Sequence, residues 1–388
     1  MKSLYAVPFA FALLAVPAVA SDEPACRKPP KPEPAPAPRM EVVFVLDTTG
    51  SMGTLIETAK RKIWAIANEL ARAKPSPELR IGLVAFRDRG DEYVTRVFDL
   101  DADLDRIYGE LTKFRADGGG DGPESVNEAL RAAVTKLSWT KDASVLKVAF
   151  LVGDAPPHMD YEQDVPYTRT CEEAARAGIV INTLRCGGDP TTEKVWTEVA
   201  RLAEGVYATV PQEGSDAIAT PYDGRLAELG TALGGTLVAY GERSVRLAAT
   251  AKVDCAEAGA AAAGAPAAAE AVSADRAVLL AKAKRLDASD LVAAVAEGSL
   301  KLEDLEESKL PEEMKKMSAE ERRAFVAKKT AERDALRKEL GELETKRATF
   351  LADAARKAAA AGSKSAFDLE VAKTLRAQAS KKGFKFEE

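Results

Sequence analysis

The chain has 388 residues, of which 46% are hydrophobic, and a formal net charge of -6. These values are typical of a soluble globular protein with one large domain or two smaller ones. The acidic balance disfavours nucleic acids and anionic membrane surfaces as partners, because both attract basic proteins.

The first twenty residues have the features of a secretory signal peptide. Lys2 supplies a positive charge, residues 4–16 form an apolar run, and residues 18–20 (Ala-Val-Ala) fit the small-residue rule for cleavage. The run is too short to span a bilayer comfortably, and Pro8 interrupts it. We therefore predict cleavage after Ala20 and export to the periplasm or the medium. The alanine-rich composition, poor in aromatic residues, favours a bacterial periplasm.

Residues 21–39 carry seven prolines, which predicts a solvated spacer without a core. Strand and helix patterns alternate over residues 40–245. Strands are predicted at residues 42–46, 80–86, 94–98, 145–152, 179–184 and 206–210. Helices are predicted at residues 54–73, 104–114, 124–137, 194–202 and 222–233, and one more helix is predicted to end with residues 172–177. The second and third strands are close enough for a hairpin, whereas helices separate the others. This order predicts an α/β fold with a doubly wound, mostly parallel six-stranded sheet.

The composition changes after this domain. Residues 246–285 are rich in alanine and are predicted to be a linker, and residues 286–388 are predicted to be a charged α-helical tail. Ser318 and Glu321 have the spacing of a capping box at the start of a long helix that extends to about residue 361.

This helix carries an incomplete apolar stripe. Its members are Phe325, Leu336, Leu340, Leu343 and Phe350. Arg333 and Arg347 interrupt the stripe, so the pattern predicts a short helical hairpin or a weak coiled coil, with self-association through the tail as one consequence.

Three acidic loops are predicted to meet at the carboxyl edge of the sheet, where ligands of open parallel sheets bind. They are residues 47–51 (Asp-Thr-Thr-Gly-Ser), 117–124 (Asp-Gly-Gly-Gly-Asp-Gly-Pro-Glu) and 153–155 (Gly-Asp-Ala). Asp47, Thr49 and Ser51 alternate along an extended loop, so their oxygens turn the same way, and Asp154 adds another carboxylate. An oxygen-only set suits a hard cation such as Mg²⁺, Mn²⁺ or Ca²⁺ and leaves room for water or an incoming ligand.

The pattern Asp47-x-Thr49-x-Ser51, followed by Met52, resembles the first loop of the metal-ion-dependent adhesion site (MIDAS) of von Willebrand factor A domains. The strand at residues 148–152 and the terminal Asp154 are similar to the segment that completes that site. The resemblance covers about residues 40–240. It implies a Rossmann-like fold, a bound divalent cation with Mg²⁺ first, and a protein ligand that offers an acidic or carbonyl oxygen to the metal.

The middle loop departs from the usual family pattern, in which a threonine is offered to the metal. This chain has Asp121 and Glu124 instead, as in bacterial and hemicentin-like members with a Gly-Gly-Asp-x-Pro-Glu loop. Counting from the glycines places Asp121 at the threonine position, and counting back from residues 129–130 places Glu124 there, so both remain candidates. An added carboxylate neutralises more of the metal charge and should attract an acidic ligand less strongly. The predicted metal ligands are therefore Asp47, Thr49, Ser51, Asp121, Glu124 and Asp154.

Other features near this edge have simpler explanations. Asp47 taken alone could cap the following helix. Residues 87–89 (Arg-Asp-Arg) fit either support behind the site or a solvated hairpin tip. His158 has no nucleophile motif beside it, which favours a structural role. The glycines at 118–120 lack the pattern of a phosphate-binding loop.

The four cysteines, in an exported protein, predict two disulfides. We expect Cys171 to pair with Cys186, because both are predicted at the same edge of the sheet, and Cys26 to pair with Cys255, because the two flank the domain.

The preferred functional hypothesis is a metal-dependent protein-binding module without enzymatic activity. One alternative is a metal-dependent hydrolase, although no general base or second cation site is evident. Another is a structural domain whose helical tail does the work.

Overall fold

The computed structural model describes residues 38–53, 55–120, 122–210, 218–261, 266–360 and 367–386. The predicted signal peptide, nearly all of the proline-rich spacer and Asp121 lie outside these residues. Six strands form one sheet in the order β3-β2-β1-β4-β5-β6. They are β1 (Arg39–Asp47), β2 (Glu78–Phe86), β3 (Thr95–Asp101), β4 (Leu146–Gly153), β5 (Ile179–Cys186) and β6 (Tyr207–Val210). Only β3 is antiparallel to its neighbour among them, which confirms the predicted α/β fold class and the hairpin.

Helices cover both faces of this sheet. Those interleaved with the strands are α1 (Ile56–Ala71), α2 (Leu104–Lys113), α3 (Val126–Thr135), α4 (Tyr167–Arg176), α5 (Pro190–Leu202) and α6 (Asp223–Gly234). Those that follow are α7 (Arg243–Ala261), α8 (Pro266–Lys282), α9 (Leu291–Ala296), α10 (Ala319–Ala360) and α11 (Phe367–Ser380). None of the helices in the described ranges is long and apolar enough to cross a membrane.

Strand β1 lies at the centre of the sheet and is buried on both faces. Its residues alternate between two cores, because successive side chains of a strand point to opposite faces. Phe44 enters one core, where its ring lies 5.4 Å from that of Phe150 and α1 covers the face. Val43 and Val45 enter the other core, which α3 and α4 cover. The continuous apolar run before Asp47 is the consequence of this two-sided burial.

The segment at 246–285 is not the linker that its composition predicted. It contains most of α7 and all of α8, and α8 packs against α1 and α6. A Cβ at Gly230 of α6 would lie only 2.5 Å from the Cβ of Ala277, so the two helices approach very closely. Alanine is a strong helix former, and its small side chain permits this approach. The alanine-rich composition that predicted a linker is therefore that of two packed helices.

The α-helical character predicted for residues 286–388 is confirmed by α9, α10 and α11, and these helices pack against the rest of the chain. Together with the sheet they belong to one compact unit, Ala37–Glu388. Leu336, Leu340 and Leu343 of α10 pack into the core formed by α6 and α8, so this part of the apolar stripe is covered within the chain. The capping box is confirmed, because the Glu321 amide donates to Ser318 Oγ at 3.3 Å and the Ser318 amide donates to Glu321 Oε2 at 2.7 Å.

The two arginines that interrupt the stripe hold α10 in place. Arg333 is buried, and its guanidinium donates to Asp290 Oδ2 at 2.8 Å and to the Thr236 carbonyl at 3.0 Å. Arg347 is also buried and lies between Asp223 and Asp275. Their charges are therefore compensated inside the protein, where an unpaired charge would be costly.

The C-terminal helix α11 completes the face of the sheet that α1 covers. Leu375, Ala379 and Phe384 belong to the same core as β1 and β4. The amides of Gln378 and Asn182 exchange two hydrogen bonds, at 2.9 and 3.2 Å, which fix the helix on β5.

The predicted pairing of Cys171 with Cys186 is wrong. Both thiols are free and buried, and they belong to different cores on opposite faces of the sheet. Burial raises the pKa of Cys171 to about 12 and that of Cys186 further, which makes both thiols poor nucleophiles. The second predicted disulfide involves Cys26 and the side chain of Cys255, which lie outside the described part of the chain.

Candidate metal centre

The loop after β1 folds back on the carboxylate that ends the strand. Asp47 is fully buried, and its Oδ1 accepts hydrogen bonds from the Thr49 amide at 2.9 Å and from Thr49 Oγ1 at 2.6 Å. Thr49 Oγ1 lies 3.1 Å from Ser51 Oγ, which donates to Asp154 Oδ1 at 2.8 Å. Four of the predicted ligands therefore form a connected chain of oxygens at the carboxyl edge of the sheet.

Strand β4 brings Asp154 to this chain through Gly153. A Cβ at Gly153 would lie 2.7 Å from the Cβ of Asp47, so a larger residue would push the Asp47 carboxylate away. The neighbouring β1 and β4 are parallel and in register up to this point, which places the two carboxylates beside each other.

The middle loop is joined to the first loop by its backbone. The Gly50 amide donates to the Gly118 carbonyl at 3.0 Å, and the Asp117 amide donates to the Thr48 carbonyl at 3.0 Å. Gly119 has a φ of +74°, and a Cβ there would lie 2.9 Å from Glu124 Oε1. Glycine therefore gives both the turn and the space that the Glu124 carboxyl occupies.

Glu124 lies with the other predicted ligands. It is 2% exposed, it lies close to Thr49 on the other side of Gly119, and its charge interacts with that of Asp47. Asp121, the other candidate from this loop, lies outside the described residues. The structure thus brings together five of the six predicted ligands.

Among the residues that the structure describes, two carboxylate oxygens of this group are buried and have no hydrogen-bond donor. They are Asp47 Oδ2 and Glu124 Oε2. A buried polar atom without a partner is costly, and two acidic oxygens close together repel each other when ionised. A divalent cation would remove both costs, so the residues present fit a hard metal ion. Within the described ranges, no three His, Cys, Asp or Glu side chains are clustered as a metal site by themselves. A cation here would therefore depend on the hydroxyl groups of Thr49 and Ser51 as well.

Residues of the β2–β3 hairpin support the two loops from behind. Arg87 is 5% exposed, and its Nε donates to the Thr48 carbonyl at 3.1 Å. The Asp91 carboxylate accepts the Gly119 amide at 3.0 Å, and Tyr93 shares a 2.8 Å hydrogen bond with the Thr48 hydroxyl. For residues 87–89 the sequence allows two interpretations, which are support behind the site and a solvated hairpin tip. Arg87 and Asp88 are buried support, and Arg89 is exposed.

A second polar layer lies under Glu124. The carboxylate of Asp88 is buried and accepts from Ser125 Oγ and from the Tyr161 hydroxyl, both at 2.8 Å. His158 stacks on Tyr161 at 4.1 Å between ring centroids, and its backbone amide donates to the Glu124 carbonyl at 3.0 Å. This placement agrees with the structural role predicted for His158. The sequence did not single out Asp91, Tyr93 or Tyr161, because no local pattern marks them.

The buried carboxyls have perturbed pKa values. Burial raises the pKa of Asp47 to about 7, and the nearby Asp154 carboxylate adds to the shift. Burial, reinforced by Asp47 and Asp88, raises the pKa of Glu124 to about 9. Burial also raises the pKa of Asp154. Without a metal, the folded protein therefore retains protons at this site near neutral pH.

These shifts predict a pH-dependent stability of the metal-free protein. The same carboxyls ionise near pH 4 in an unfolded chain, so the folded state binds more protons between about pH 4 and about pH 9. The free energy of unfolding should therefore fall as the pH rises through this window, and the loss is complete above the folded pKa values.

Mg²⁺ favours the ionised carboxylates and should raise the melting temperature more at about pH 8 than at about pH 5.5. Thermal unfolding in EDTA and in Mg²⁺ across this range measures both effects. An equal effect of Mg²⁺ at both pH values would contradict the prediction.

Comparison with known proteins gives one matching family model, described as a von Willebrand factor A domain, over residues 41–200. The human and rat proteins named von Willebrand factor A domain-containing protein 7 are 37% and 38% identical to this chain over 120 residues. Each match covers 31% of this chain but only 12% of the relative. Similar solved structures include the SpRpn10 VWA domain, at 13% identity and a TM-score of 0.36, with 47% of this chain and 91% of that chain covered. Another is proximal thread matrix protein 1 from the mussel byssus with a zinc-occupied MIDAS motif, at 18% identity and a TM-score of 0.36, with 45% and 42% covered.

Proposed function

Residues 41–200 of this chain are a von Willebrand factor A domain, and from this premise we propose that the protein is an exported binding module that holds a protein partner through a divalent cation. Domains of this family are commonly protein-interaction modules, and some have a metal site of this type. The observation that carries the proposal is the pair of buried, unpartnered oxygens, Asp47 Oδ2 and Glu124 Oε2, beside the hydroxyls of Thr49 and Ser51.

In this proposal Asp47, Thr49, Ser51, Asp154 and Glu124 or Asp121 hold the cation. Mg²⁺ is the first choice because all these donors are hard oxygens, and Mn²⁺ or Ca²⁺ would suit them too. A bound cation of this kind offers an open coordination position to an oxygen atom of a partner protein. Asp47 and Thr49 hold each other in position, and Gly119 leaves room for Glu124.

We propose binding rather than catalysis for this site. The only histidine of the chain, His158, is buried and engaged with Asp160 and Tyr161 beneath Glu124, so its imidazole supports the site from below. Export rests on residues 1–20, as the sequence predicted. Self-association would need a surface other than the leucine stripe of α10, because that stripe is covered by α6 and α8.

Isothermal titration of the full chain with Mg²⁺ and Mn²⁺ tests the metal site. We expect saturable binding at one site in the wild-type protein and its loss in Asp47→Ala, because that buried carboxylate holds Thr49 in position and is itself a proposed ligand. Asp117→Asn is the matched control: this carboxylate lies on the same edge, but its side chain is 81% exposed, and the variant should bind like wild type. A wild-type protein without saturable binding would overturn the proposal.

A further inference from the structure

The loops that carry the metal centre also carry exposed carboxylates. We call Asp117, Asp160, Glu162 and Asp189 the acidic rim, because all four are exposed on these loops or on the loop after β5. The side chains of Asp117 and Asp160 are 81% and 76% exposed. Asp189 is near enough to Asp154 for their charges to interact.

The basic side chains of the same edge are engaged within the protein. Arg87 Nε donates to the Thr48 carbonyl at 3.1 Å, Arg89 pairs with Asp164, Arg115 donates to the Phe114 carbonyl at 2.8 Å, and Arg185 donates to the Asp189 carbonyl at 2.7 Å. These contacts fix the cationic groups against loop backbones and neighbouring acids. The arginines keep their charge, but the acids of the same loops, which include Asp91 and Glu92 besides the acidic rim, outnumber them, so the charge that this edge presents to a partner is negative.

The inner site adds to this negative charge. Asp47, Glu124 and Asp154 contribute three carboxylates, against the two positive charges of one divalent cation. Asp47 and Glu124 are each at least nine-tenths buried, and each has one oxygen to which no described residue donates. When all three are ionised, the loaded site keeps a net negative charge, and a carboxylate from a partner would meet repulsion from this site and from the acidic rim.

The surface beside the site is open and has one apolar contact point. A Cβ added at Gly120 or Gly122 would meet no atom of the described residues within 4 Å, so an incoming backbone can come close to these two glycines. Met159 is 62% exposed, and its sulfur lies 3.7 Å from the side-chain nitrogen of Asn127. Methionine adapts its shape to irregular partners, which makes Met159 a suitable apolar contact.

We propose that this edge binds a positively charged segment of a partner protein, which offers a neutral carbonyl or amide oxygen to the metal and lysine or arginine side chains to the acidic rim. The inference rests on the proposed metal site and narrows the chemistry of its partner. Charge complementarity of this kind sets partner choice and accelerates association.

Fluorescence anisotropy of labelled peptides with the Mn²⁺-loaded full chain tests this inference. One peptide has a Gly-Asn-Gly centre flanked by lysines, a second has the same centre flanked by glutamates, and a third has a Gly-Asp-Gly centre flanked by lysines. We expect the first peptide to bind at least about tenfold more tightly than the second, because electrostatic attraction raises association by this order. We expect the first peptide to bind at least as tightly as the third. Its affinity should fall in EDTA and at high salt.

Two rim variants and one remote variant serve as controls. Asp117→Lys and Glu162→Lys should each weaken the lysine-flanked asparagine peptide, whereas Glu320→Lys, an equal change of charge on α10, should not. Equal or tighter binding of the glutamate-flanked or aspartate-centred peptide, no effect of EDTA, or no peptide binding at all would overturn the inference. A separate Mn²⁺ titration distinguishes these results from failure of the metal site itself.

Discussion

Replacing Arg347 by alanine is expected to lower the free energy of unfolding by about 3–5 kcal/mol, the usual cost of leaving buried charges without their partner. Arg347 Nε lies 2.7 Å from Asp223 Oδ1, and another nitrogen of its guanidinium lies 2.6 Å from Asp275 Oδ1. Burial raises the pKa of Asp275, and Arg347 opposes that shift. Without the arginine, both carboxylates would be left in the interior of the α6–α8–α10 core.

Urea denaturation of wild type, Arg347→Ala and Arg356→Ala measures this effect. Arg356 lies on the same helix, but its side chain is 72% exposed and pairs only with Asp353 among the described residues, so its removal should cost less than about 1 kcal/mol. We expect one cooperative transition that shifts as a whole in Arg347→Ala. A separate transition confined to the C-terminal helices would contradict the packing of α10 against the sheet domain.

The sheet could be predicted from the sequence because its strands are buried on both faces. A run such as residues 42–46 has no polar position, and it ends at Asp47, where the chain reaches the carboxyl edge of the sheet. The spacing from Asp47 to Ser51 is local as well. Asp154 directly follows another buried strand, so these candidate ligands can be predicted without knowledge of tertiary contacts.

The C-terminal half could not be predicted in the same way. The alanines of 246–285 suit a linker and a closely packed helix equally well. In the sequence Arg347 only interrupts an apolar stripe, because its partner Asp223 lies 124 residues away. Nothing local indicates that such an arginine is paired and buried. Asp91 could not be predicted for the same reason, because the residue that it contacts, Gly119, lies 28 residues away in the sequence.

Replacing Glu124 by glutamine should weaken Mg²⁺ binding and stabilise the metal-free protein at alkaline pH. The variant removes a charged ligand, so we expect a loss of metal affinity at least as large as the roughly 10–100-fold caused by losing a supporting group. In EDTA, wild type must either protonate Glu124 or bury its charge, because its pKa is raised to about 9. The glutamine does not ionise and avoids this cost. The order of melting temperatures of the two proteins should therefore reverse between EDTA and Mg²⁺ at about pH 9.

Comparison of Glu124→Gln with Asp121→Asn decides which residue of the middle loop takes the position of the family's threonine. Glu128→Gln is the control: it makes the same chemical change four residues later, on α3, at a side chain that pairs with Lys136, and it should leave metal affinity and melting temperature unchanged. Asp121→Asn removes the other candidate carboxylate. Because Glu124 lies against Thr49 with one oxygen unpartnered, we expect its replacement to weaken Mg²⁺ binding more than Asp121→Asn does. The opposite order would assign the position to Asp121 and would make Glu124 a buried acid that supports the loop.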